Sequence, residues 1–206
     1  SEIHRLGLLV DKVLKLSLFE NKAITLQKEN VDVLQLTNEV VSSMKLQFEK
    51  QHANVSVESI GEKFIIEADK LHISSVVYNL LDNALKYSTG NPAISILLTS
   101  HKEHISLQVS DNGMGIADEY RNKIFEKFFR IPGGDRHNIK GYGLGLSYVN
   151  HIVRQHQGFI EVKSVKGEGS TFTVNIPYKS SDIVQFDENK SVASESNSFF
   201  KRNSTT

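Results

Sequence analysis

The sequence predicts an α/β domain, and three observations carry that expectation. A long helical period runs from about residue 69 to Gly90, and a second one opens on the glycine run at 141–146. Between and after them, apolar and polar residues alternate over 93–100, 105–110, 159–164 and 170–176. Helical and strand periods interleaved along one chain predict helices packed on a sheet. With 206 residues the chain has room for one well-buried domain plus appendages.

Composition narrows the function classes. There are 24 basic and 24 acidic residues and a sequence pI near 7.1, so bulk charge offers nothing to nucleic acid or a membrane surface, and any anion site is local. The absence of cysteine excludes disulfides, thiolate metal sites and a thiol nucleophile. No run approaches the roughly 18 apolar residues of a membrane span, and the start lacks a basic-then-apolar signal pattern. The expectation is a soluble chain that begins inside a helical pattern and is a fragment of something longer.

Residues 1–20 carry Ile3, Leu6, Val10 and Val13, with Leu9 and Leu16 widening the stripe: an amphipathic helix with a seam like that of a coiled coil. It wants a partner helix, from a second copy or a missing segment, or else it folds back on the main domain. Residues 31–36 alternate like a short strand. Thr37 is expected to cap a helix running to about His52, with Val40, Val41, Met44 and Phe48 on one face. Short strands follow at 54–58 and 63–67, turned at 59–62.

Asp69 caps the long helix, whose core face is Ile73, Val76, Val77, Leu80, Leu81, Ala84 and Leu85; Gly90 closes it and Pro92 keeps it from resuming. Asn79, Asn83 and Lys86 form a polar stripe along it. An unpartnered buried amide costs on the order of 1 to 3 kcal/mol, so this stripe points to something polar and anionic in front of it. The plainer alternative is that Lys86 pairs with Asp82 one turn back and the asparagines face water.

A hairpin over 93–100 and 105–110 turns at 101–104, and its parity places Asp111 on the apolar face at the strand's end, where a carboxylate wants a donor. Asp111-Asn112-Gly113-Met114-Gly115-Ile116 follows; the glycines let backbone approach a flat ligand, or simply make a turn. Residues 117–130 read as a helix ending in Ile124-Phe125-Glu126-Lys127-Phe128-Phe129-Arg130. Residues 131–140, with Arg136, His137 and Lys140, read as a mobile cationic flap or an ordinary solvated loop. Gly141-Tyr142-Gly143-Leu144-Gly145-Leu146 then opens a helix that Gly158 ends, leaving backbone N–H groups free for an anion. The glycine spacing is not that of a dinucleotide fingerprint, and no GK[ST] phosphate loop exists. After Tyr178 a polar segment reads as a weakly ordered tail.

Taken in order, these segments resemble the catalytic, ATP-binding domain of sensor histidine kinases. The resemblance covers about residues 31–178: residues 79–88 are similar to the family's asparagine box, 111–116 to its first glycine box, 125–129 to its phenylalanine box and 141–146 to its second glycine box. Gly167-Glu168-Gly169-Ser170-Thr171-Phe172 resembles a last, weaker glycine element. The resemblance implies a two-layer α/β sandwich, a mixed sheet with three helices on one face. It also implies ATP and Mg²⁺ as ligands. Asn83 would hold the metal, and Asn79 would bond phosphate or metal water. Lys86 would offset phosphate charge and Tyr87 would pack near the nucleotide. Asp111 would accept from the adenine amino group. Gly113, Gly115 and Ile116 would border the purine, Gly141, Gly143, Leu144 and Gly145 would face the phosphates, and Arg130 with Lys140 would close over them.

The resemblance further implies a glutamate four residues before the metal asparagine in the superfamily's ATP-hydrolysing branches; here that position is Asn79, which cannot act as a general base. A kinase acting on an imidazole is therefore expected, its phosphoacceptor histidine lying outside this chain, because none of the eight histidines stands in the family's acceptor context. On that reading residues 1–22 are the second helix of a dimerisation hairpin, 23–178 the catalytic domain and 179–206 the tail. The partners would be the missing acceptor helix, a response regulator and, through residues 1–20, a second copy, with no nucleic acid. The setting would be cytoplasmic, free or beneath a membrane-anchored sensor. The alternatives are an anti-sigma-type serine kinase or ATPase of the same superfamily, and a non-catalytic ATP-binding module.

Overall fold

The computed structural model describes residues 25–88, 90–132 and 142–179. The expected helix over 1–20, the flap at 133–140 with Lys140, Gly141 and the tail from 180 onward lie outside the described residues.

A short strand β1 (Glu29–Asp32) leads into helix α1 (Val33–Ser43) and a short α2 (Lys45–Lys50). Then come β2 (Asn54–Ile60), β3 (Ile65–Ala68), the long α3 (Lys70–Lys86), β4 (Ala93–Ser100), β5 (His104–Asp111), α4 (Gly145–Gln155), β6 (Phe159–Val165) and β7 (Gly169–Pro177). Five strands form a mixed sheet in the order β2-β4-β5-β7-β6; only β2 and β4 run parallel. One face buries Ile94, Ile96, Leu98, Leu107, Val109, Phe172 and Val174 in a core shared with α1, α3 and α4, and α3 lies between the other two. This is the expected two-layer sandwich. α3 forms as its sequence dictates: Asp69 accepts from the His72 N–H at 3.1 Å as N-cap, and the predicted apolar face is buried throughout.

Three local expectations are overturned. Helix α1 begins at Val33 rather than after Thr37: the Asp32 carboxylate caps it, accepting from the Gln35 N–H at 3.0 Å, and Val33, Leu36, Thr37 and Val40 are buried at helical spacing. Thr37 is interior to the helix, its hydroxyl donating to the Val33 carbonyl at 2.7 Å. The strand therefore ends at Asp32, and Met44 interrupts the run toward His52. Strands β2 and β3 are not partners across their turn. β2 joins the edge of the large sheet while β3 pairs antiparallel with β1 in a separate two-stranded sheet. Residues 117–130 form two 3₁₀ turns, Asp118–Tyr120 and Lys123–Phe125, followed by a further turn at Lys127 and Phe128 rather than one continuous helix. The reason is a distant tie: Phe128, at φ +65°, donates its N–H to the Gly143 carbonyl at 2.9 Å.

Candidate functional site

The strand end of β5 supplies the first half of the site. Asp111 is half-buried, and its carboxylate accepts from the Gly113 N–H at 2.8 Å and from the Ser170 N–H. Burial raises its pKa above the usual carboxylate value, and those two donors only partly offset the rise. The chain then turns tightly against protein backbone. Gly113 abuts the Tyr87 carbonyl, which also accepts from the Met114 N–H at 3.0 Å, so the end of α3 and the loop after β5 are joined. Gly115 has φ +62°, and a Cβ there would stand 1.9 Å from the Val165 carbonyl oxygen, a position that only glycine can occupy. The close neighbours of these glycines are thus main chain at the end of α3 and at the β6–β7 turn, together with the Asp111 carboxylate beside Gly113.

A buried hydroxyl that the sequence reading passed over holds this region together. Ser164 Oγ accepts from the Ile116 N–H at 2.7 Å, donates to the Gly169 carbonyl at 2.8 Å and lies 3.0 Å from Ser170 Oγ. Its own carbonyl accepts from the Arg121 guanidinium. Asp111, Ser170 and Ser164 stand abreast in register on β5, β7 and β6. The signal was present in the parity that singled out Asp111: Ser164 continues the inward series Ile160, Val162, and Ser170 the inward series Phe172, Val174.

The second half lies where α3 meets the start of α4. Asn79 donates its Nδ2 to the Ser75 carbonyl at 2.7 Å, which fixes its Oδ1 toward α4. A Cβ on Gly145 would come within 2.8 Å of that oxygen and 4.0 Å of Asn83 Nδ2. The glycine that opens α4 therefore keeps open the space in front of the asparagine stripe. Leu144, the N-cap residue, makes no side-chain capping bond, so the first-turn N–H groups of α4 receive no side-chain acceptor from it. Gly143 packs against the backbone of Phe128 and Phe129, joining the aromatic strap to the helix start. Lys86 takes the local alternative and pairs with Asp82. Tyr87 and Arg130 are exposed, and Leu144 and Ile116 are buried.

Amide oxygens are hard ligands suited to a hard divalent cation; Asn79 turns its Oδ1 to the space kept by Gly145, while Asn83 faces it with Nδ2 and would offer its oxygen to Mg²⁺ after turning its amide over. Among the described residues no cluster of three or more His, Cys, Asp or Glu could hold a metal. A cation here would gain its compensating charge from phosphate.

The two site helices are tied together at one turn. His156, just past α4, accepts from the Asp69 N–H on Nε2 at 3.0 Å and donates Nδ1–H to the Ile152 carbonyl at 2.8 Å. Burial lowers its pKa, in keeping with that neutral tautomer. Tyr148 reaches back from α4 to His72 Nδ1 at 2.7 Å. Asp69 also accepts from the Gln27 N–H at 2.8 Å.

Comparison with known proteins agrees with this geometry. Residues 68–180, more than half of the chain, match the family described as histidine kinase-, DNA gyrase B- and HSP90-like ATPase. The sensor protein RprX of Bacteroides fragilis is 34% identical over 183 residues, 88% of this chain and 35% of that protein. The sensor histidine kinase WalK of Bacillus subtilis is 30% identical over 190 residues, 91% of this chain and 31% of that protein. This chain thus spans about a third of the length of either relative. Among solved structures, the nucleotide-free catalytic domain of the histidine kinase ThkA superposes with a TM-score of 0.65 at 26% identity, covering 75% of this chain and 97% of that one. ThkA in complex with the response regulator protein TrrA gives a TM-score of 0.66 at 26% identity, covering 86% of this chain and 48% of that one. With its box order, its sheet and its paired site helices in agreement, the chain belongs to the histidine kinase-, DNA gyrase B- and HSP90-like ATPase family.

Proposed function

We propose that this chain is the catalytic unit of a two-component sensor kinase: it binds ATP with Mg²⁺ and transfers the γ-phosphoryl group to a histidine that is none of its own eight. The observation that carries the reading is the approach of Gly145 to Asn79 and Asn83, which sets a helix start without a side-chain cap in front of two amides. Asp111 accepts from the adenine amino group. The N–H groups at the start of α4 receive phosphate oxygens, with the helix dipole assisting. Asn83 is the metal ligand, and Asn79, held by the Ser75 carbonyl, keeps its oxygen toward phosphate or metal water. Bound Mg²⁺ supplies charge compensation to the phosphates. Lys86 adds to it by leaving Asp82; Gly141, Arg130 and Lys140 complete the phosphate end.

In the transfer an imidazole nitrogen forms the new bond to the γ-phosphorus, the bond to the bridging oxygen breaks, ADP leaves and the imidazole proton passes to solvent. Asn79 in place of an acidic residue favours that outcome over hydrolysis, since an amide cannot activate water. Two histidines are already committed, His72 to Tyr148 and His156 to Asp69 and Ile152, which supports an acceptor elsewhere. The names of RprX and WalK and the ThkA–TrrA complex support a sensor kinase with a response regulator downstream. In that setting residues 23–178 are a cytoplasmic catalytic unit and residues 1–22 a dimerising helix.

Calorimetric titration with a non-hydrolysable ATP analogue, with and without Mg²⁺, tests the proposal. Wild type should bind in a Mg²⁺-dependent manner, Asn83→Ala should lose at least about tenfold in affinity, and phosphate release from ATP should be negligible. Sustained hydrolysis would place the chain with the ATPases instead, and phosphate incorporated on any of its own histidines would refute the external acceptor.

A further inference from the structure

Ser164 Oγ has three polar neighbours and one proton. The Ile116 N–H can only donate to it, at 2.7 Å, and the Gly169 carbonyl can only accept from it, at 2.8 Å. The third neighbour, Ser170 Oγ at 3.0 Å, can do either. Because the single Ser164 proton is taken by the carbonyl, the arrangement that satisfies every buried group has Ser170 donating its own proton to Ser164. The Ser170 N–H is taken as well, by the Asp111 carboxylate. On the side toward Asp111, Ser170 then has only lone pairs to offer. The strip between β5 and β7 presents acceptors alone, a carboxylate and a hydroxyl oxygen, and calls for a ligand group that donates.

We propose that Ser164 is a specificity-determining positioning residue: by fixing the direction of the Ser164–Ser170 hydrogen bond it makes the Asp111 pocket accept a 6-amino purine and reject a 6-oxo purine. Ser164 does not touch the ligand. The proposal rests on the ATP-binding reading above and adds to it the origin of base selectivity. A carboxylate alone would disfavour the 6-oxo group, but a freely turning Ser170 hydroxyl would donate to that oxygen and recover part of the loss. Ser164 removes that escape by consuming the Ser170 proton. Both hydroxyls are buried, so no bulk water competes for it.

The test uses the full chain, titrated calorimetrically with the non-hydrolysable imido analogues of ATP and ITP. ITP isolates position 6, because it lacks the extra amino group of GTP. Wild type should favour the ATP analogue by about tenfold or more. Ser164→Ala should shrink that ratio at least about threefold by improving or sparing ITP while ATP weakens, and Ser164→Thr, which keeps the hydroxyl, should restore it. A merely structural role would weaken both nucleotides in proportion and leave the ratio unchanged, and that result overturns the inference while leaving ATP binding intact. If wild type binds neither nucleotide, the functional reading and this inference fall together. Should Ser164→Ala not fold, Ser170→Ala examines the same polarity from the other side: losing an acceptor lowers the ATP:ITP ratio, whereas a rise would show that Ser170 had been donating to the ligand.

Discussion

At the strand end of the site, Asp111, Ser170 and Ser164 stand abreast on three adjacent strands and are tied into the main chain. At the helix end, Asn79, Asn83 and Lys86 hang from one helix, and the bonds of Asn79 and Lys86 to Ser75 and Asp82 lie within it. The strand end cannot shift without moving the register of the sheet. The helix end can rearrange by turning side chains. On the proposed reading, base recognition would be a property of the fold, and phosphate handling a property of local side chains.

The contrast predicts opposite outcomes for equivalent substitutions. Gly115→Ala should destabilise the chain by about 3 kcal/mol or more, because its methyl meets the Val165 carbonyl at a positive φ; a urea melt reads this directly. Asp111→Asn should cut binding of the ATP analogue by at least about tenfold while raising the melting temperature of the free chain. The sign follows from burial: the native state holds the Asp111 proton more tightly than the unfolded chain does, so stability falls as pH climbs from 3.8 through the raised pKa, and the amide escapes that cost. Nucleotide affinity should run the other way and weaken as pH drops through the raised value.

Gly145→Ala should leave stability within about 1 kcal/mol, since alanine suits a helix and the clashing atom is a side-chain oxygen that can move. Mg²⁺-dependent affinity should nevertheless fall about tenfold, because that oxygen belongs to Asn79. A large loss of stability here would erase the contrast between the two ends. The smallest effect is expected at Lys86: its pair with Asp82 is exposed and one turn apart, so Lys86→Ala should change stability by less than about 0.5 kcal/mol, with weaker calorimetric binding of the ATP analogue and little change in affinity for adenosine.

Much of this was legible in the sequence because it is local. The Asp69 cap, the apolar face of α3, the asparagine stripe and the parity of Asp111 all follow from periods of 3.6 and 2. What escaped depends on long-range partners. A run such as Val31 to Leu36 suits either period, and the Asp32 carboxylate with burial of Val33 and Leu36 decides it. The aromatic strap lacks a helix because Phe128 is bonded to Gly143, a partner 15 residues further on. Ser164 looked like an ordinary strand serine until the register placed it beside Ser170.

The two ties between α3 and α4, Asp69 to His156 and His72 to Tyr148, both grip the first turn of α3 but are spread along α4, one just past its end and the other a single turn from Gly145. At a rise of about 1.5 Å per residue, those two anchor points on α4 stand about 12 Å apart. α4 is therefore clamped near both ends rather than hinged at one, and swinging Gly145 away from Asn79 would require breaking the Tyr148 bond. The Gln27 N–H is fastened to the Asp69 carboxylate as well, so the segment that enters the domain there is attached to the same turn that clamps α4.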